Sequence, residues 1–191
     1  MDTDDATLVR RYNDGDSGAL EQLVERYRRP LFHFILNMLN GQGEADEIFQ
    51  EVWFRVIRNV ARYRDQGFLS WLFRIAHNLM VDRFRWNKGW GWVSADRENA
   101  EGISIKDVAP DPGPTPDEQV GASESEQRVW EAVARLPPEQ REVFILRMAE
   151  DLAFKEIASI QRVSINTALA RMQYAVTKLR EALKEDRHHG V

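Results

Sequence analysis

The chain has no cysteine among its 191 residues, so disulfides, thiolate metal sites and a cysteine nucleophile are excluded. It has no apolar run near the roughly 18 residues that a membrane span needs. Its first residues, MDTDDATLVRR, are acidic and polar where a secretory signal carries a basic start and an apolar stretch. The reading is a cytoplasmic protein with no membrane insertion. Histidine is scarce. His33 and His77 stand alone on helices, and Glu185-x-x-His188 is a single copy of a metal spacing that needs a second. Glu47 and Glu51 share a helix face, but no nucleophile, base or phosphate loop accompanies them. No catalysis, no metal and no cofactor are expected.

A chain that is 43% hydrophobic can bury a core, and this length suits two small domains as well as one. The net charge of −5 argues at first against nucleic acid, but it is unevenly placed. Residues 1–93 carry 13 basic and 13 acidic side chains, residues 94–127 carry 2 and 9, and residues 128–191 carry 11 and 9. The acidity belongs to the middle. Residues 52–64 hold four arginines and no acid, and residues 161–180 hold Arg162, Arg171, Lys178 and Arg180 with no acid. Two local basic faces are therefore available to phosphates.

Apolar spacing of three and four predicts helices along most of the chain. Leu8, Val9 and Tyr12 open a short one that Asn13-Asp14-Gly15 stops. A second begins at Asp16 or Ser17 and runs to Met38, with Pro30 expected to kink or divide it. The third, about Glu44 to Tyr63, has the most regular stripe: Ile48, Phe49, Val52, Trp53, Val56, Ile57 and Val60. Acids lead it and arginines end it, as the helix dipole favours. The fourth, Phe68 to Arg85, carries its apolar stripe at Trp71, Leu72, Ile75, Ala76, Leu79, Met80 and Phe84, with Ser70 as a candidate N-cap. Opposite that stripe the pattern places Arg74, Asn78, Asp82, Arg83 and Arg85. Such a face suits phosphates and unstacked bases, and equally an ordinary solvated surface.

Trp86, Trp90 and Trp92 follow, either packing on their own helix or touching single-stranded DNA. Residues 94–122 are acidic, poor in large apolar residues and hold Pro110, Pro112, Pro114 and Pro116, which reads as a linker. Helical periodicity resumes near Ser125. Leu136-Pro137-Pro138 breaks it, Pro138 opens the next helix, and a short helix, Phe154 to Ile160, precedes a tight turn and a long helix from Ser164. That last pair has the helix-turn-helix pattern, with Asn166, Thr167, Ala170, Arg171 and Tyr174 exposed early on the second helix and Lys178 further along. The expected fold is all-α: residues 1–93 and 123–191 as two small helical domains, joined by the acidic, proline-rich linker.

Ala45-Asp46-Glu47-Ile48-Phe49-Gln50-Glu51-Val52-Trp53, Trp71-Leu72-Phe73-Arg74-Ile75-Ala76-His77-Asn78 with Asp82 and Arg83, and Leu136-Pro137-Pro138-Glu139-Gln140-Arg141-Glu142-Val143-Phe144 with Lys155-Glu156-Ile157-Ala158 stand in order along nearly the whole chain. Together they resemble an extracytoplasmic-function (ECF) sigma factor of the sigma-70 family. The resemblance implies that Asp46, Glu47, Phe49, Gln50, Glu51 and Trp53 meet core RNA polymerase. It assigns Arg64, Arg74, Asn78, Asp82, Arg83 and Arg85 to the promoter −10 element. Asn166, Thr167, Ala170, Arg171, Tyr174 and Lys178 fall to the −35 element. An anti-sigma factor is an implied partner, and the acidic linker resembles the segment that enters the polymerase's nucleic-acid cleft. Ala153 stands where the family caps with Ser or Thr, the turn Gln161-Arg162 has no Gly, and Leu169 and Tyr174 replace residues that are often basic. The rival readings are a free-standing helix-turn-helix regulator, which needs neither the acidic helix nor the −10-like helix, and a helical-bundle enzyme, which needs inward carboxylates and histidines.

Overall fold

The computed structural model describes residues 3–39, 43–64, 67–86 and 124–188, the side chains of 84–86, 124–125 and 185–188 excepted. The linker and the positions of Trp90 and Trp92 lie outside it, as do the side chains of Arg85 and Trp86. Two compact units divide the chain, Met1–Arg83 and Phe84–Val191. The described residues are helical, with no strand among them.

The first unit holds α1 (Asp5–Asn13), α2 (Ser17–Met38), α3 (Ala45–Asn59) with a closing 3-10 turn (Val60–Arg62), and α4 (Phe68–Trp86). Asp4 caps α1 through a 2.9 Å bond from the Thr7 amide. Gly15 sits at φ +102° in the turn that follows, a conformation that costs other residues strain. Asp16 then caps α2, accepting from the Gly18 amide at 3.0 Å and from Arg11. Pro30 does not divide α2. The loss of one ladder bond is outweighed by the buried stripe on either side, Leu23, Leu31, Phe34, Ile35 and Met38. In the core Phe34 meets Phe73 edge-on at 4.9 Å. Tyr63, Phe68 and Trp71 cluster at the start of α4, with centroids 5.2–5.7 Å apart. Trp71 thus packs against neighbouring rings. Ser70 is not the N-cap of α4: the helix begins at Phe68, the Trp71 amide bonds the Gly67 carbonyl at 3.1 Å, and Ser70 is buried in the first turn.

The second unit holds α5 (Glu124–Ala134), α6 (Pro138–Met148), α7 (Phe154–Gln161) and α8 (Ile165–His188). Pro138 opens α6, where its missing amide hydrogen is no loss. Arg141 is buried and turns back to the end of α5, donating to the Ala134 carbonyl and, at 3.0 Å, to the Leu136 carbonyl. With Ala153 unable to cap α7, Glu156 reaches back to the Ala153 amide at 3.0 Å and supplies half of a capping box. Arg162 ends α7 in the left-handed region, φ 57° and ψ 44°, and the Val163 amide closes the turn on the Ala158 carbonyl at 3.0 Å. A left-handed non-glycine residue costs about 1–2 kcal/mol, part of which glycine's extra unfolded freedom cancels. Arg162→Gly is expected to stabilise this unit by about 0.5–1 kcal/mol in urea unfolding.

Candidate polymerase and nucleic-acid interfaces

On α3 the stripe from Ala45 through Ile48, Val52 and Val56 is buried, which aims Asp46, Glu47, Gln50, Phe54 and Ile57 outward on one face. Of the residues expected there, Trp53 is buried and Phe49 half-buried against Phe32 at 5.9 Å. The apolar groups that do reach the surface are Phe54 and Ile57, 55% and 42% exposed. Sequence reasoning missed both, although 46, 50, 54 and 57 continue one face at steps of four and three. Glu51 pairs with Arg55 at 3.0 Å, one turn along. Glu47 receives Arg83 through two bonds of 3.0 Å, and Arg83 Nε donates to Glu44 at 2.9 Å. The Arg83 guanidinium holds the Glu47 carboxyl below the usual carboxylate range. Its share of stability is present above that range and is lost only as pH falls through the depressed value.

Arg74 and Asn78 stand half-buried on one face of α4 with Asp82 exposed, and Arg64 is exposed just before the helix. Arg83 does not share that face. At about 100° per residue it lies about 140° round from Asn78, on the side that meets the start of α3.

On α8 the Ser164 hydroxyl caps the helix, accepting from the Thr167 amide at 3.0 Å. Ala168, Met172, Ala175 and Leu179 are buried, so Asn166, Ala170, Gln173 and Thr177 lie on the outer face at steps of four, three and four. Asn166, Tyr174 and Lys178 are exposed, and Thr167 and Ala170 half-buried. Arg171 is half-buried on the flank, its Nη1 donating to Gln161 Oε1 at 2.8 Å. Burial lowers its pKa, while Glu139 and Glu142 act to raise it. Gln161 in turn donates to the Glu139 carbonyl at 3.0 Å and to Glu142 Oε2 at 2.8 Å. The chain Arg171–Gln161–Glu142 pins α8 to α7 and α6. Nothing in the periodicity of the sequence pointed to it.

One helical unit with an acidic and apolar outer stripe and a second unit with a helix-turn-helix define a two-domain helical protein of the DNA-binding class. Residues 23–89 match Sigma-70 region 2 and residues 126–179 match Sigma-70, region 4. The chain belongs to the sigma-70 family, in its ECF group. It is 26% identical over 178 residues to the ECF RNA polymerase sigma factor SigW of Bacillus subtilis, covering 93% of this chain and 95% of that one. Against the RNA polymerase sigma-H factor of Pseudomonas aeruginosa it is 28% identical over 186 residues, 94% of each chain. In fold it is similar to CnrH, solved in complex with the cytosolic domain of CnrY (TM-score 0.67, 21% identity, 95% of this chain and 98% of that one). It is also similar to the sigma factor RpoE of Bartonella quintana, solved in complex with the anti-sigma factor NepR (TM-score 0.64, 21% identity, 86% and 96%). No helix among the described residues is long and apolar enough to cross a membrane.

Proposed function

We propose that the chain binds core RNA polymerase and directs promoter-specific transcription initiation. It acts in the cytoplasm and has no catalysis of its own. In this reading the outer face of α3 meets polymerase, Arg74, Asn78 and Asp82 with Arg64 and Arg85 handle the −10 element, and α8 enters the major groove at −35. Residues 94–122 join domains 1–93 and 123–191 and carry the acidity that lets them lie where phosphates otherwise go. An anti-sigma factor is the natural regulator, since a protein that competes for the α3 face would block polymerase.

The observation that carries the reading is the pairing, in one chain, of an exposed acidic and apolar face on α3 with the separate polar face of α4. A free-standing helix-turn-helix regulator has no use for either. Reconstitution with core polymerase and run-off transcription test it: the purified chain should confer initiation at a subset of genomic fragments. Transcription no more selective than that of core polymerase alone would refute it. Within that assay, Asn78→Ala should alter which −10 sequences open in permanganate mapping. Substitution of Arg64 or Arg74 should weaken opening on all of them, because phosphate contacts carry no sequence information. Equal loss on every sequence for Asn78→Ala would remove Asn78 from base recognition.

A further inference from the structure

We propose that Arg83 is a positioning residue of the polymerase-binding face rather than a contact to promoter phosphate, an inference that rests on the function proposed above. Three of the five guanidinium donors are used on two carboxylates of one helix turn: Nε on Glu44 at 2.9 Å, Nη1 and Nη2 on Glu47 at 3.0 Å each. Glu44 is the N-cap residue of α3 and makes no side-chain cap bond there. Its carboxylate goes to Arg83 instead. The fork ties the first turn of α3 to the last turns of α4 across 36 and 39 residues of chain. A phosphate could engage the same edge of Arg83 only by displacing Glu47, and the side chain points away from the Asn78 face.

What the tie accomplishes follows from its place. Asp46, Glu47 and Gln50 start the polymerase face, and Arg83 sets the rotamer of Glu47 and the direction of the turn that carries all three. A face held in its docking geometry loses less side-chain entropy on binding. Lysine would not serve as well, since its donors all sit on one nitrogen and cannot make the flat two-point pair with Glu47 while a third reaches Glu44.

The test uses the full chain, core polymerase and four variants: Arg83→Gln, Arg83→Lys, Glu44→Gln/Glu47→Gln, and the triple variant. Polymerase affinity is measured directly, thermal stability is followed by circular dichroism, and salt dependence is measured for preformed holoenzyme on a promoter fragment. Arg83→Gln should weaken polymerase binding about three- to fivefold, at the upper end for exposed pairs because the geometry is bidentate. Arg83→Lys should recover part of that loss. The triple variant should bind no more weakly than Glu44→Gln/Glu47→Gln, because Arg83 acts through those two groups. The salt slope on DNA should not change. A slope reduced by about 0.7–0.9 with polymerase affinity kept would identify a phosphate contact and overturn the inference. So would additive losses in the triple variant that track thermal stability. A wild-type chain that fails to bind polymerase overturns the proposed function as well. Unchanged affinity of Arg83→Gln beside a binding wild type overturns the Arg83 inference alone.

Discussion

Phe54→Ser combined with Ile57→Ser should lower the affinity for core polymerase by about 30- to 1,000-fold while leaving the helical content intact. Anchors at the centre of an interface are worth about 2 kcal/mol or more each when truncated, and apolar side chains flanked by polar ones fit that role. Phe54 is 55% and Ile57 42% exposed on a helix whose other face is closed. The unit therefore loses little when they are cut, within about 0.5 kcal/mol for a surface change of this kind. Phe49→Ser and Trp53→Ser should behave differently, because Phe49 packs against Phe32 and Trp53 is buried. These two should unfold the first unit before they report on polymerase. Reversing Asp46, Glu47 and Glu51 together should also abolish assembly, but it breaks the ties to Arg83 and Arg55 at the same time. Copurification of the Phe54/Ile57 variant with polymerase at wild-type yield would exclude these two side chains from the interface.

The contrast between those pairs marks where sequence reasoning reaches and where it stops. A stripe such as Ile48, Val52 and Val56 is legible because burial imposes helical period on residue type. The helices follow from it, with ends set by Gly15, Pro138 and Ser164 through backbone chemistry that is local to each. The same period places Trp53 on the stripe and leaves Phe54 off it, and Trp53 is buried while Phe54 is exposed. Ile57 is the exception, counted into the stripe by its spacing yet 42% exposed, because no neighbouring helix among the described residues covers the edge where it lies. The polar pattern and the family resemblance put Arg83 with Asn78 opposite the buried stripe, yet five residues place them on different sides of the helix. The partners of Arg83 are 36 and 39 residues away in sequence. A hydrogen-bonded fork between distant acids leaves no periodic trace. Arg171 is the same case: its position suits DNA, while the group it meets, Gln161, belongs to the preceding helix.

Gln161→Leu should destabilise the second unit by about 2–4 kcal/mol and weaken −35 binding without itself removing a contact to DNA. Gln161 is buried, and three hydrogen bonds converge on it, from Arg171 and to the Glu139 carbonyl and Glu142. Leucine fills comparable volume but satisfies none of them. Hydrogen bonds to charged groups contribute about 1.5–3 kcal/mol, and a buried polar group deprived of its partner costs more than the bond itself returned. Glu142 is fully buried, and its carboxylate would lose the Gln161 amide donor. In native-state hydrogen exchange the amides of α6, α7 and α8 should open together and faster, while those of α2 and α3 stay as they were. Loosening the pin also frees α8 to change its angle against α7, so affinity for −35 DNA should fall on all sequences in similar proportion. Gln173→Ala is the counterpart, an exposed outer-face change that should alter sequence preference with stability unmoved. If Gln161→Leu instead shifts base preference at one position with exchange unchanged, Gln161 reads DNA directly and the pin is not what holds the recognition helix.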